Sequence, residues 1–173
     1  NRGEVIRTHI LRPTWHFVAP ADIRWLLALT APRVTLLNAP YYRRVGLDDE
    51  LYARAREVLI QALAGSTHPT RDELRQALDT AHIAADIELR MIYILMRAEL
   101  DGLICSGPRR GKQFTYALLD ERVPPTAPLG REEALAELAR RYFTSHGPAT
   151  VHDLARWASL TLEDVRTGLA ASA

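Results

Sequence analysis

"PTRDELRQA", residues 69–77, and "ATVHDLARW", residues 149–157, align at a constant offset of 80. Thr70 pairs with Thr150, Glu73 with Asp153 and Leu74 with Leu154. Each copy sets a threonine three residues before a carboxylate. At a helix start this spacing lets the hydroxyl accept a backbone N–H of the first turn while the carboxylate reaches back to the threonine N–H. Each copy also follows a helix-like segment ending in small or turn-forming residues, "LYARAREVLIQALAGS" in one case and "ALAELARRYFTSHGP" in the other. A short match that recurs in the same context argues for two copies of one three-helix unit.

Working outward from residue 70, a helix is expected from Asp48 or Asp49 to Leu63, with Leu51, Ala55, Val58, Leu59 and Ala62 as its apolar stripe. Thr70 starts a short helix with Leu74 and Leu78, and a third runs from about Ala84 to Leu100 before Asp101-Gly102 stops it. "ICSGPRRGKQFTYALL", residues 104–119, then places β-favouring flanks around Gly107, Pro108 and Gly111, the pattern of a hairpin. Helix, short helix, longer helix and two strands is the order of a winged helix-turn-helix. In the second copy Thr161 and Asp164 cap a third helix through Leu169, and no hairpin follows.

Upstream, "VIRTHILRPTWHFV", residues 5–18, holds two β-like runs separated by Arg12-Pro13, and Asp22 opens a short helical run, "IRWLLALT". Pro40 and the "YYRR" cluster suggest an irregular linker from Asn38 to Gly46, and the three prolines of "RVPPTAPLG" mark a second break. The expected fold is mainly α with small β hairpins, as tandem winged helix-turn-helix domains. Residues 1–45 read as the C-terminal remnant of a first winged-helix unit plus linker, and residues 46–121 as a complete winged-helix domain. Residues 122–130 read as a Pro-rich linker, and residues 131–173 as a second unit truncated before its wing.

Hydrophobic residues make up 47% of the 173 and charged residues 25%, the balance of a globular chain. Net charge is only +1, so binding to nucleic acid has to rest on local charge placement. The single Cys105 excludes an internal disulfide and a multi-cysteine zinc site. The six histidines lack compact ligand spacing, and no serine elbow or phosphate loop is present. No metal or cofactor is expected. The sequence has no apolar run of membrane-spanning length and no signal-peptide pattern, so the expected location is cytoplasmic.

Arg109, Arg110 and Lys112 at a hairpin tip are candidates for contact with duplex phosphates, against the alternative of a solvated turn. The third helix argues against a base-reading role, because it is apolar on more than one face and carries Asp86, Glu88 and Glu99 beside Arg90 and Arg97. Recognition is therefore expected to be led by the DNA backbone. Tyr41 to Arg44 combines two rings with Arg43 and Arg44, and reads either as a stacking and phosphate-binding loop or as a seam between units with the arginines at its rim.

"LRPTWHFV", residues 11–18, with its Arg12, Thr14, Trp15 and His16, resembles the tandem winged-helix DNA-binding family that includes the alkylpurine and interstrand-crosslink DNA glycosylases of the AlkZ and YcaQ kind. "ELDGLICSG" and "SHGPATVHDLARWASLTLEDVRTGL" extend the resemblance over most of the chain. It implies double-stranded DNA as partner, with Arg12, Thr14 and His16 expected to support the DNA-facing side. Arg12 would contact phosphate or anchor its strand and His16 would hold local geometry by hydrogen bonding, against the alternative that Trp15 and Phe17 are the structural residues and the polar ones lie at the surface. It also implies a catalytic motif of glutamine, an apolar residue and then glutamine or aspartate, upstream of the Arg12 stretch. Gln61, Gln76 and Gln113 each stand outside such a motif. The chain is accordingly expected to be an inactive fragment of a glycosylase-like repair protein acting on alkylated or crosslinked purines. The competing readings are a winged-helix transcriptional regulator and a protein-interaction module.

Overall fold

The computed structural model describes residues 4–83 and 88–172. The elements, in order, are β1 (Ile6–His9), β2 (Trp15–Val18), α1 (Pro20–Arg44), α2 (Asp49–Leu63), α3 (Arg71–Thr80), α4 (Glu88–Leu100), β3 (Ile104–Ser106), β4 (Tyr116–Leu118), α5 (Leu119–Arg122), α6 (Arg131–Ser145), α7 (Val151–Ala158) and α8 (Leu162–Ala171). The protein is thus mainly helical with two small antiparallel hairpins. β1 pairs with β2 from Ile6↔Val18 to His9↔Trp15, and β3 pairs with β4 from Ile104↔Leu118 to Ser106↔Tyr116.

The recurrent threonines occupy equivalent places. Thr70 caps α3 with Glu73, Thr150 caps α7 with Asp153, and Thr161 caps α8 with Asp164, all three as reciprocal boxes. The expected start of the third helix at residues 84–87, including Asp86, lies outside the described residues.

The irregular linker expected from Asn38 to Gly46 is not there: α1 continues through it to Arg44, with Pro32 and Pro40 inside the helix. Each proline removes one backbone donor, but Pro32, Pro40 and the residues four before them, Ala28 and Leu36, are all exposed, so water can reach the freed carbonyls. The opposite face is held by packing that a local reading cannot see. Buried Asn38 donates from Nδ2 to Met96 Sδ at 3.1 Å, and the rings of Tyr41 and Tyr42 meet Tyr93 of α4 at 5.7 and 5.8 Å.

Two cores result. Leu59, Leu63, Leu74, Leu78, Met91, Ile94, Ile104 and Tyr116 join α2, α3, α4 and the β3–β4 hairpin. The other core unites the two ends of the sequence, with Ile6, Ile23 and Leu26 packed with Leu138, Leu154 and Val165. α6 and α8 approach so closely that a Cβ at Gly168 would lie 2.5 Å from the Leu135 carbonyl oxygen.

Candidate nucleic-acid interface

The tip of the β3–β4 hairpin is a two-residue turn. Arg110 and Gln113 exchange backbone hydrogen bonds of 3.1 Å in both directions around Gly111-Lys112, and Gly111 has φ +61°, a conformation glycine adopts without a Cβ clash. At the base, Gly107 leaves no room for a side chain: a Cβ there would stand 2.5 Å from Thr115 Oγ1. The hairpin is stitched to the helical body, since the Tyr116 N–H donates to Pro69 O at 2.9 Å, immediately before the α3 cap.

The three basic residues of the tip are placed differently. Arg110 turns back onto α3, its Nη1 donating to Glu73 Oε1 at 2.7 Å and its Nη2 to His68 O at 3.0 Å. The Thr70 backbone bond first, and Arg110 second, hold the Glu73 carboxyl down at about 2. Arg109 is exposed, with its guanidinium 4.4 Å from the Phe114 ring centroid and an Nη2 bond to Lys112 O at 2.8 Å. Lys112 is exposed at the turn itself.

Arg12, Thr14 and His16 come together at the β1–β2 turn. The His16 Nδ1–H donates to Thr14 O at 3.0 Å, leaving Nε2 to accept from Arg12 Nη2 at 3.4 Å. Burial first, and the Arg12 charge with it, lower the His16 pKa, so the ring is neutral near pH 7 and aligns Arg12 as an acceptor. Thr14 acts through its carbonyl, while its side chain is exposed. His16 also borders a cavity of about 250 Å³ between β2 and the α6–α7 pair, shared with Tyr142 and Trp157. Arg43 and Arg44 stand exposed in the last turn of α1, beside the Tyr41–Tyr93 stack rather than at either hairpin. Tyr42 is buried there and Tyr41 half exposed.

Arg90, Arg97 and Glu99 of α4 are committed internally. Arg90 Nε donates to Val45 O at 2.7 Å, and Arg97 pairs with Asp49 at 2.7 Å. Glu99 is only 1% exposed, and its Oε2 accepts from the backbone N–H of His9 at 3.0 Å and from the His9 ring. α4 packs against α1 and β1 and so acts as a central support.

Sequence reasoning missed Arg7 as well as His9 and Glu99. Arg7 is buried, with its guanidinium 4.4 Å from the Trp15 ring and 3.8 Å from Phe114, linking the first hairpin to the second. The signal was the two-residue alternation of Arg7 and His9 opposite Phe17 and Trp15, which puts all four on one face of the sheet. Burial pushes the Cys105 thiol up to about 12, which keeps it protonated and a poor nucleophile. Among the described residues no cluster of three or more His, Cys, Asp or Glu could hold a metal ion, and no helix is long and apolar enough to cross a membrane.

Residues 1–173 match the family model of the DNA glycosylase AlkZ-like proteins. The interstrand DNA cross-link repair glycosylase of Streptomyces sahachiroi is 27% identical over 168 residues, which is 90% of this chain and 43% of that protein. The solved structure of Streptomyces sahachiroi DNA glycosylase AlkZ superimposes with a TM-score of 0.75 at 24% identity, covering 96% of this chain and 47% of that one. The chain thus spans about half the length of these relatives. The resemblance carried by Arg12, Thr14 and His16 is borne out over the whole sequence, and the chain belongs to the DNA glycosylase AlkZ-like family.

Proposed function

We propose that this chain is the DNA-gripping part of a glycosylase-like repair protein, built from tandem winged-helix units and holding duplex DNA by its backbone. In this reading α2, α3, α4 and the β3–β4 hairpin form one winged helix with the hairpin as its wing. The β1–β2 hairpin is the wing of a preceding unit, and α6, α7 and α8 are the helices of a following one. The observation that carries the reading is the braced tip, where all three cations are exposed and Arg110 is fixed on Glu73 beside Arg109 and Lys112. A turn of flexible cations loses side-chain entropy on binding phosphate, and bracing the turn lowers that cost. Arg12, aligned by His16, adds a cation from the neighbouring hairpin.

The committed charges of α4 support contact with phosphates over base reading. The family and the relative named an interstrand DNA cross-link repair glycosylase support DNA-repair glycosylase activity for the whole protein, for which alkylated or crosslinked purines are the proposed substrates. We assign positioning to these 173 residues rather than bond cleavage, because they contain no glutamine followed by an apolar residue and glutamine or aspartate.

Titration of a labelled duplex at several salt concentrations tests the reading. Replacing Arg109 and Lys112 together with alanine is expected to weaken binding equally across sequences and to flatten the salt dependence by about one unit of slope per lost phosphate contact. Unchanged affinity and slope would return the tip to a solvated turn and leave the surface to a protein partner.

A further inference from the structure

Two aromatic side chains of β2 face solvent although the core lies directly behind the strand: Trp15 is 49% exposed and Phe17 69%. They lie two residues apart, so they project from one face with a spacing of about 7 Å. Opposite them on β1 stand His9 and Arg7. The Arg7 guanidinium sits 4.4 Å from the Trp15 ring centroid and 3.8 Å from that of Phe114, and Phe114 in turn lies 4.4 Å from the guanidinium of Arg109. Trp15, Arg7, Phe114 and Arg109 thus form one row in which rings and cations alternate across two hairpins.

The row is fixed from below. The Arg7 backbone N–H donates to Ser106 Oγ at 2.9 Å, and the Trp15 ring leans on His9 at 5.0 Å, itself held by Glu99. Arg7 is 8% exposed, and its Nε has no hydrogen-bond partner among the described residues. The exposed Trp15 ring therefore rests on a prearranged base, and Arg109 beyond Phe114 is an exposed cation of the same row.

We propose that this row is a stacking site for an unpaired DNA base, with Trp15 as its platform. The inference rests on the DNA-binding reading and adds to it a preference for strand-separated DNA. A paired duplex hides the faces of its internal bases, whereas an unpaired nucleotide presents a π-face beside a phosphate. The row offers the exposed Trp15 ring for the face and, at its far end, the exposed Arg109 for the phosphate, while the buried Arg7 backs the rings. Stacking on an aromatic side chain is worth about 1–3 kcal/mol per base, enough for a preference of roughly tenfold or more.

The test compares two labelled duplexes of equal length at one salt concentration, one fully paired and one with a three-base mismatch bubble at its centre. Wild-type protein is expected to bind the bubble about tenfold more tightly. Trp15→Ala is expected to abolish most of that preference while leaving paired-duplex affinity within about twofold, and Trp15→Phe to retain most of it. Circular dichroism of both variants checks that the fold is kept. Equal affinity of wild-type protein for the two duplexes overturns the inference and leaves the DNA-binding reading standing, as does a preference that survives in Trp15→Ala. Failure to bind either duplex overturns both. Self-association of wild-type protein that Trp15→Ala abolishes, without any bubble preference, would assign the rings to a contact between copies and overturn the stacking site.

Discussion

Glu99 Oε2 accepts hydrogen bonds from both the main chain and the ring of His9, 90 positions earlier in the sequence, and so ties the end of α4 to the first strand. Removing the carboxylate leaves two buried donors unpaired. Glu99→Ala is expected to lower unfolding stability by about 3 kcal/mol, measured by urea denaturation. A loss below about 0.5 kcal/mol would show that water replaces the carboxylate without cost.

Arg110 is one of two anchors on Glu73, and the smaller one. In Arg110→Ala the Glu73 carboxyl is expected to titrate higher than about 2 but still below the ordinary range, since the Thr70 N–H remains its partner. A carboxylate held below its unfolded value contributes stability above the unfolded pKa, and loses it as pH falls through the folded one. The brace is thus intact at neutral pH and released only in strong acid. Carboxyl NMR titration of both proteins checks the order of the two anchors.

His16 titrates in the opposite sense to a salt-bridged histidine, because burial lowers its pKa. Its contribution is complete above about 6.5, the unfolded value, and is lost as pH falls through the lower folded value. Protonation also turns the Arg12 acceptor into a second cation. Imidazole NMR is expected to report a midpoint below that of a free histidine, and Arg12→Ala to raise it, because Arg12 is one of the causes of the lowering.

Gly168→Ala is expected to destabilise the protein by about 1–3 kcal/mol, the range for overpacking a close contact. The added methyl meets the Leu135 carbonyl 2.5 Å away on a helix backbone that cannot move aside cheaply. Thermal unfolding measures the loss, and an unchanged midpoint would mean that α6 and α8 can slide apart freely.

What could be read from the sequence was what neighbours in the chain decide. The caps at Thr70, Thr150 and Thr161 each need two residues three apart, and all three boxes form. The first half of α1 is legible from Asp22 onward, but its continuation to Arg44 is not, because its prolines are a strong local signal while Asn38 and Tyr42 are held by Met96 and Tyr93, more than 50 positions away. The basic tip was visible as composition, yet the division of labour within it was not. Arg110 is held across the surface by Glu73 on another element, and nothing adjacent to it in the sequence distinguishes it from Arg109.

The core shared by the first hairpin, α1 and the α6–α8 helices changes what the proline-rich stretch after α5 is for. Asp22 and Arg141, 2.7 Å apart, stand on opposite sides of that stretch in sequence and on the same side of the packed core. A protease cut between residues 123 and 130 would therefore yield two pieces that stay together as a nicked complex. Deleting everything beyond the cut would instead strip the cover from Ile23 and Leu26, while the first hairpin would keep its anchors on Ser106 and Glu99.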